Sequence, residues 1–289
     1  MSVSIALSFP GGRFHATPWG HHVNEALPEW PPSPWRFLRA LVAVWKRKLP
    51  PKQYDAAVEA MLSELAKTQP AFALPPATLG HTRHYMPTHE KPKMVFDAFV
   101  SLAHSAQVVF HWADVNLSDE GKGTLSLLLS QLGYFGRAES WCAARLLTEP
   151  EFDAARINCK PGTESGQESV RVLAVDPEKW SGWDFTDKKI VAPDPKWNLL
   201  AETADLHLER WSDPPGAKWV TYSRPTDSFA PRPAPRPVSS GGRQDEVHRC
   251  AIRVGRVRRA QAASARDRNA FTRRRSAPAT RTRVRAHRP

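Results

Sequence analysis

Apolar residues recur with helical or strand periodicity as far as residue 229, and the periodicity then stops. After Ala230 the chain reads PRPAPRP and continues in Arg, Ala, Ser and Thr without a period, with Phe271 as its only aromatic side chain. A segment without periodic apolar residues has no face to bury, so it forms no packed element. The sequence therefore predicts a folded domain over residues 1–229, with residues 150–229 as insertions or an extension, and a disordered tail over residues 230–289.

The tail also carries the positive charge of the chain. Residues 231–289 hold 17 arginines, no lysine and three acidic residues, whereas the preceding residues hold 24 basic and 26 acidic groups. The net charge of +12 is thus no evidence that the folded part binds a polyanion. Three interpretations stay open: an arm that binds RNA without sequence specificity, a linker with an interaction arm, or out-of-frame translation of a GC-rich gene. The abrupt loss of lysine favours the last.

The composition argues against several classes of protein. No run of 18 apolar residues occurs, so no membrane-spanning segment is expected, and the first residues lack the basic and apolar regions of a secretory signal. The three cysteines, Cys142, Cys159 and Cys250, show no CxxC spacing, which argues against a zinc ribbon or a disulfide framework. We therefore expect a cytoplasmic protein with no cofactor, no bound metal and no membrane partner.

The order of the predicted elements favours an α+β fold. Val3 to Phe9 alternates as a strand with one apolar face, and Ser33 with Pro34 begins a helix. Periodicity and capping residues predict the remaining elements: helices over 54–67, 118–132 and 199–211, strands over 72–74, 94–102, 107–115, 136–147, 170–175 and 218–222, and a loop or strand end over 81–87. Without the second helix and the insertions, residues 3–147 follow the order strand, helix, strand, strand, helix, strand, which is that of ferredoxin-like domains.

A segment of unusual composition follows the first strand. Residues 11–36 read GGRFHATPWGHHVNEALPEWPPSPWR and combine Gly and Pro with three imidazoles, two guanidiniums and three indoles. Gly and Pro mark loops, and loops on a rigid scaffold often carry binding residues. Because Arg pairs with phosphate and aromatic faces stack on bases, the segment predicts nucleic-acid binding. The alternative is a surface loop whose indoles close one edge of the core.

The same segment resembles the start of a CRISPR-associated family of type I-U systems, also called type I-G. Three later stretches are similar to that family: residues 82–87 (TRHYMP), 132–141 (LGYFGRAESW) and 214–222 (PPGAKWVTY). In the family, a Cascade subunit that grips the 5′ handle of the guide RNA is fused to a repeat-cleaving endoribonuclease. The resemblance covers roughly residues 1–229 and therefore only the N-terminal part of such a fusion.

This resemblance implies a fold, partners and a binding loop. The fold would be a ferredoxin-like, RNA-recognition-like domain of the repeat-associated superfamily, and the partners would be CRISPR guide RNA and other Cascade-type subunits. Residues 133–137 would form the glycine-rich loop that faces RNA. The nuclease half of the family ends in Gly-His and His-Ala-His-Tyr patterns, and this chain contains no match to them. We therefore expect RNA binding rather than cleavage, and the sequence identifies no catalytic residues.

The candidate RNA-binding residues come from residues 11–36 and from the later stretches: Arg13, His15, Trp19, His22, Arg36, Arg83, His84, Tyr85, Tyr134, Gly136 and Arg137. Among them, Arg13, Arg83 and Arg137 are expected on phosphates, the aromatic residues on stacked bases, and the histidines on the backbone or a base edge. Gly136, like Gly12, allows close approach of a backbone. For Arg36, as for Arg39 on the same polar side of its helix, a solvated helix face is as good an explanation as phosphate contact.

Two other functions are considered. The chain could be a metal-independent endoribonuclease that uses His15 and His22 as general acid and base, or a truncated product without function. A metal enzyme is not expected, because neither the spacing of His22 and Glu25 nor that of the histidines at 81, 84 and 89 matches a zinc site.

Overall fold

The computed structural model describes residues 2–86, 93–176 and 199–229, except residues 200, 209, 211 and 215. The described residues belong to one compact unit. The tail predicted over residues 230–289 lies outside them, as does His89. No helix in the described part of the chain has the length and apolar character needed to cross a membrane.

The described part contains helices and antiparallel strands, in agreement with the predicted α+β class. The strands, in chain order, are β1 (Val3–Ser8), β2 (Arg13–Phe14), β3 (Ala71–Ala73), β4 (Ala77–Met86), β5 (Lys93–Leu102), β6 (Gln107–Trp112), β7 (Ala143–Leu147), β8 (Lys160–Pro161), β9 (Glu168–Val175) and β10 (Ala217–Arg224). The α-helices are α1 (Pro34–Lys48), α2 (Asp55–Lys67), α3 (Asp119–Ser130) and α4 (Thr203–Leu208).

The first sheet has the strand order β3-β6-β1-β7, and every neighbouring pair is antiparallel. Ile5 of β1 lies opposite Phe110 of β6 and Leu146 of β7. Helices α1 and α2 connect β1 to β3, and α3 connects β6 to β7. Helix α2 packs on α3, and α3 packs on β7. The main core therefore joins the helices to this sheet, with Ile5, Leu41, Phe110 and Leu125 fully buried in it.

Helix α1 begins as its sequence predicts. The Ser33 side chain accepts a hydrogen bond from the Arg36 backbone N–H at 3.2 Å, and Pro34 occupies the first helical position, where its missing N–H costs nothing. Apolar residues three or four positions apart, such as Leu38, Leu41 and Trp45, face the core. The opposite face of α1 is left for arginines and lysines.

Strand β1 corrects one detail of the sequence prediction. The alternation over residues 3–9 predicted a strand with one apolar face, but both faces of β1 are largely buried. Ala6, on the expected outer face, packs in a small second cluster with Val109, Leu147 and Phe152. Ser4 on the same face satisfies its hydroxyl through a 2.8 Å hydrogen bond to His111 Nδ1. The residues after β7 cover this face, which the local pattern of β1 does not reveal.

The second sheet, ordered β2-β5-β4, contains a long hairpin inserted between β3 and β6. Strands β4 and β5 pair antiparallel over ten residues each, so residues 81–86, expected as a loop or strand end, belong to a regular strand. Side chains two positions apart share a face. One face of the hairpin therefore carries Leu79, His81, Arg83 and Tyr85.

The third sheet, ordered β8-β10-β9, is built from the region predicted as insertions or an extension. It is attached to α1, because the Ser33 hydroxyl donates to the Leu173 carbonyl of β9 at 2.6 Å. The Tyr222 hydroxyl of β10 donates to the Pro70 carbonyl at 2.8 Å. These bonds bring β9 and β10 next to the loop of residues 17–30.

Three predicted elements are shorter than expected. The strand predicted over 136–147 begins only at Ala143, because a turn precedes it: Ser140 N–H donates to the Arg137 carbonyl at 2.9 Å. The strand predicted to residue 115 ends at Trp112. The helix predicted over 199–211 is α4, six residues long, and residue 211 lies outside the described residues.

Candidate nucleic-acid interface

Residues 133–137 connect α3 to β7 and contribute to two different polar regions. Tyr134 forms an isolated β-bridge with Trp141, and both aromatic side chains are at least half exposed. Gly136 has φ +90°, and a Cβ atom on it would lie 2.4 Å from the His15 carbonyl oxygen. The close approach that Gly136 permits is thus made to the backbone of this chain itself.

The first polar region is the His15 cluster, formed by His15, Asp97, Arg137 and Glu139. The buried His15 imidazole places Nδ1 2.8 Å from Glu139 Oε1 and Nε2 3.8 Å from Asp97 Oδ1. The Arg137 guanidinium donates to Asp97 Oδ1 at 2.7 Å and lies 3.3 Å from Glu139. Backbone bonds hold the loop in place, since Arg137 N–H donates to the His15 carbonyl at 2.8 Å. The structure therefore brings two predicted site residues together with two carboxylates.

Electrostatics in the His15 cluster favour a neutral imidazole. Burial, followed by the nearby Arg137 cation, lowers the pKa of His15, although Glu139 and Asp97 oppose the shift. Burial alone would raise the pKa of Glu139, but a bond from its own backbone amide, Arg137 and His15 together lower it. Both carboxylates lie beside Arg137. Phosphate contact by Arg137 stays a prediction, and it would compete with Asp97 and Glu139.

Arg36 is partly buried and held by an ion pair with the buried Glu29. Its guanidinium donates to both oxygens of the buried Glu29, at 2.9 and 3.0 Å, and to the Thr17 carbonyl at 2.7 Å. Glu29 Oε1 also accepts from the Ser33 backbone N–H at 2.8 Å. Burial would lower the pKa of Arg36, but the adjacent Glu29 carboxylate raises it overall. The ion pair fastens residues 17–29 to the start of α1.

The second polar region is a cavity of about 220 Å³ between α1 and residues 131–136, called here the α1 cavity. Its basic lining residues are Arg36, Arg39, Arg47 and Lys48, and no carboxylate lines it. The half-exposed Tyr134 also lines it. Arg36 is paired with Glu29, and Arg47 lies 3.6 Å from the exposed Glu202, so the positive character of the cavity comes mainly from Arg39 and Lys48, with an aromatic ring beside them.

Arg39 differs from Arg36 although it lies one turn further along the same helix. Its guanidinium carbon lies 4.5 Å from the centre of the Trp35 ring, and Nη2 donates to the Thr203 hydroxyl at 3.3 Å. Nη1 is buried and has no hydrogen-bond acceptor in the described part of the chain. Burial and the neighbouring Arg36 charge lower the pKa of Arg39 to about 10, although the Glu202 carboxylate opposes the shift. Arg39 is thus a largely desolvated cation that donates to no carboxylate among the described residues.

The outer strand pair of the hairpin presents a second aromatic and basic surface, called here the hairpin face. It consists of Leu79, His81, Arg83 and Tyr85 of β4 with Met94 and Phe96 of β5. In the register of the two strands, Phe96 lies opposite Arg83 and Met94 opposite Tyr85. The His81 ring stacks on Phe96 with centroids 4.5 Å apart, and the Arg83 guanidinium carbon lies 5.4 Å from the same ring. Tyr85 is 71% exposed. The side chain of His84 lies outside the described residues.

His81 and Phe96 were not among the predicted site residues, although a signal for them exists. The sequence LGHTRHYM alternates, so Leu79, His81, Arg83 and Tyr85 share a face once residues 77–86 are assigned to a strand. Because residues 81–87 were expected to form a loop or strand end, this alternation was not interpreted as one face of a strand. Phe96 becomes visible only through the register of β5 against β4. Arg39 was considered for phosphate contact but not included among the predicted site residues, because burial on the polar face of a helix has no sequence pattern.

The remaining predicted residues occupy separate settings. Half-buried Trp19 packs edge-on against Trp35 at 5.5 Å and donates its indole N–H to the Ser212 carbonyl at 2.7 Å. Exposed His22 accepts from the Asn24 N–H at 3.2 Å and so caps a short 3₁₀-helix. The Arg13 guanidinium carbon lies 5.0 Å from the centre of the Phe99 ring.

Comparisons with known proteins add little to this geometry. No protein-family model matches the chain, and no curated protein matches it. One solved structure, described as the crystal structure of a CRISPR protein from Archaeoglobus fulgidus, is similar with a TM-score of 0.29 and 13% sequence identity, covering 79% of this chain and 88% of that one. A similarity of this size establishes neither a shared fold nor a shared function.

Proposed function

We propose that this chain is an RNA-binding subunit of a type I CRISPR interference complex and that it holds the 5′ handle of the guide RNA. The α1 cavity is the observation that carries the RNA-binding part of the proposal. The assignment to CRISPR guide RNA and to Cascade-type partner subunits rests on the resemblance of residues 11–36, 82–87, 132–141 and 214–222.

The chemistry of the α1 cavity suits a phosphate group. A largely desolvated cation whose hydrogen bonds include no anion is unfavourable, and the neighbouring Arg36 cation adds repulsion. A phosphate oxygen at Arg39 Nη1 would relieve both effects. With about 220 Å³, the cavity is smaller than the roughly 300–1,000 Å³ of typical small-molecule pockets, so it suits one charged group of a chain better than a free metabolite.

Tyr134 and the hairpin face supply the second requirement for RNA binding, exposed rings for unstacked bases. Base–aromatic stacking tolerates any sequence because every base has a π-face. Tyr134 stands beside the cations of the α1 cavity, and Tyr85, Phe96 and Arg83 share the hairpin face. Phosphate contacts and stacking platforms together are the usual components of single-strand recognition.

The sheet order supports the proposed ferredoxin-like domain. The four strands β3-β6-β1-β7 are antiparallel, and helices make the first and last connections. This order supports a β-α-β-β-α-β arrangement like that of ferredoxin-like folds, with α2 and the hairpin as insertions. In this arrangement residues 133–137 lie between the last helix and last strand, where the resemblance implies a loop facing RNA.

The test uses the full chain and a matched loss of charge. Two variants are compared: Arg39→Gln with Arg47→Gln, which removes two cations of the α1 cavity, and Arg145→Gln with Arg156→Gln, which removes two exposed arginines elsewhere. Affinity for a single-stranded RNA carrying a CRISPR repeat handle is measured at several salt concentrations. The tail contributes equally to both variants.

We expect the cavity variant to bind at least about tenfold more weakly, a loss of about 1.4 kcal/mol. Its salt dependence should become shallower by about 0.7 in the log–log slope for each phosphate that the variant no longer neutralises, and the control variant should match the unmodified protein. Equal weakening in the two variants would show that net charge binds the RNA, and the proposal would be wrong.

A further inference from the structure

A larger cavity of about 720 Å³ lies between residues 18–30 and strands β9 and β10. We call it the indole cavity, and its defining residues are Trp19, Trp30, Trp219, Phe229, Arg171 and Leu79. This volume lies within the roughly 300–1,000 Å³ of small-molecule sites, which are mostly apolar with a few polar groups. Neither the α1 cavity nor the His15 cluster accounts for it.

Two walls of the indole cavity are held in fixed orientations. The indole N–H of Trp19 donates to the Ser212 carbonyl at 2.7 Å, and that of Trp219 donates to Asp213 Oδ1 at 2.8 Å. Consecutive residues of one loop therefore hold both rings, and both rings remain only half buried. Pre-oriented aromatic walls bind a flat ring at a low entropic cost.

Charge in the cavity lining is balanced except at one residue. Glu29 pairs with Arg36, and Glu168 pairs with Arg224 through two hydrogen bonds of 2.8 and 2.9 Å. Arg171 is exposed, lies 5.2 Å from the centre of the Trp219 ring, and has no ion-pair partner among the described residues. The lining thus presents one unneutralised guanidinium at the edge of an aromatic wall.

We propose that the indole cavity binds a nucleotide, with the base against the indole walls and the phosphate at Arg171. A flat heteroaromatic ring joined to an anionic group matches both features, since bases stack on indoles and Arg binds phosphate through its planar fork. An apolar ligand would leave Arg171 without a role, and a bare anion would leave the indole walls without one.

The hairpin face connects this cavity to the RNA surface. Leu79 is 55% exposed, lines the indole cavity, and lies on the same side of β4 as His81, Arg83 and Tyr85. An RNA strand whose bases stack along the hairpin face would reach the indole cavity at Leu79. The nucleotide has two possible sources, an unstacked unit of a bound RNA or a free mononucleotide, and the first of these rests on the proposed function.

The first experiment titrates the full chain with 5′-AMP and follows tryptophan fluorescence, with adenosine as the ligand that lacks phosphate. The variants are Arg171→Gln, Trp219→Leu and the control Arg156→Gln, each checked for folding by thermal unfolding. We expect saturable quenching by 5′-AMP, about tenfold weaker binding in Arg171→Gln, and no change in the control. Adenosine should bind the unmodified protein and Arg171→Gln equally.

The second experiment separates the two sources. If single-stranded RNA displaces 5′-AMP, or if Arg171→Gln weakens RNA binding when 5′-AMP itself does not bind, the occupant is a unit of the strand. If 5′-AMP binds through Arg171 and RNA does not displace it, the occupant is a free nucleotide.

The proposal is overturned by 5′-AMP binding that ignores Arg171, or by the absence of 5′-AMP binding together with RNA affinity unchanged in Arg171→Gln and Trp219→Leu. These outcomes leave the proposed function intact as long as the α1 cavity variant still binds RNA more weakly than its control. If the α1 cavity variant binds RNA like its control while 5′-AMP binds through Arg171, the proposed function fails and the nucleotide site remains.

Discussion

The His15 cluster and the α1 cavity both use residues 133–137, yet they treat their arginines in opposite ways. In the His15 cluster, Arg137 lies within 3.3 Å of two carboxylates. In the α1 cavity, Arg39 has a buried nitrogen without an acceptor among the described residues, and no carboxylate lines the cavity. Arg36 belongs with the first kind, because Glu29 binds it through two hydrogen bonds.

This difference separates arginines that build the fold from arginines available to a ligand. When a guanidinium is held by carboxylates, removing one partner leaves the other charge buried and unpaired and so destabilises the fold, and an anionic ligand must displace the carboxylates. A desolvated guanidinium without an anion contributes little or is unfavourable, and a ligand improves its environment. Stability and RNA affinity should therefore respond to different substitutions.

The largest effect on the free energy of unfolding is expected where an arginine that is paired with a carboxylate loses that carboxylate. Glu29→Gln removes the buried carboxylate that binds Arg36 and the Ser33 N–H, so we expect the free energy of unfolding to fall by about 3 kcal/mol. Glu202→Gln is the control, since Glu202 and Arg47 are exposed and 3.6 Å apart, and it should cost less than about 1 kcal/mol. Urea unfolding measures both. Equal losses would remove the distinction between the two kinds of arginine.

The next largest effect is expected at Gly136, in the loop that contributes to both the His15 cluster and the α1 cavity. Gly136→Ala places a Cβ atom 2.4 Å from the His15 carbonyl at φ +90°, so we expect a loss of about 2 kcal/mol from clash and backbone strain. Gly133→Ala is the matched control, because a Cβ atom there meets nothing within 4 Å. If both variants unfold at the same urea concentration, the loop is not fixed against His15.

Elements with a local cause were predictable from the sequence. Helix α1 begins at its Ser33 cap and buries Leu38, Leu41 and Trp45 as the period requires. Strand β1 lies where the alternation places it, but its second buried face depends on Phe152, which follows Ala6 by 146 positions in sequence. A local pattern does not encode such a distant contact, and for this reason that face was predicted wrongly.

The candidate site was predictable in residue type and not in residue role. Glycine, arginine and aromatic residues indicated binding, and Tyr134 and Gly136 do lie beside the α1 cavity. The sequence did not show that Arg137 has Asp97, or that Arg36 has Glu29, because ion-pair partners follow from tertiary packing. Whether these arginines contact RNA stays a prediction.

A smaller effect on the free energy of unfolding is expected when an arginine that donates to no carboxylate is removed. Arg39→Met deletes a desolvated cation and its repulsion with Arg36, but also loses the stacking on Trp35, which is worth about 0.5–1 kcal/mol. The opposing changes should leave the free energy of unfolding within about 1 kcal/mol of the unmodified protein. Arg36→Met, one turn away, strands the buried Glu29 and should cost about as much as Glu29→Gln. Urea unfolding of the two methionine variants compares the two kinds of arginine on one helix, and a larger loss for Arg39→Met would reverse the assignment.

The smallest effect concerns the pH dependence of the free energy of unfolding, to which the His15 cluster contributes. The pKa of His15 is lowered in the folded protein, first by burial and then by Arg137, so between that lowered pKa and 6.5 the unfolded chain binds more protons than the folded one. The free energy of unfolding therefore falls as the pH falls below 6.5. His111, whose pKa burial also lowers, contributes in the same direction. We expect urea midpoints to drop between pH 7 and pH 5. The drop should shrink in His15→Gln and shrink further when His111→Gln is added. An unchanged drop in His15→Gln would mean that folding does not lower the pKa of His15, and a larger drop would mean that Asp97 and Glu139 stabilise the charged imidazole in the folded protein.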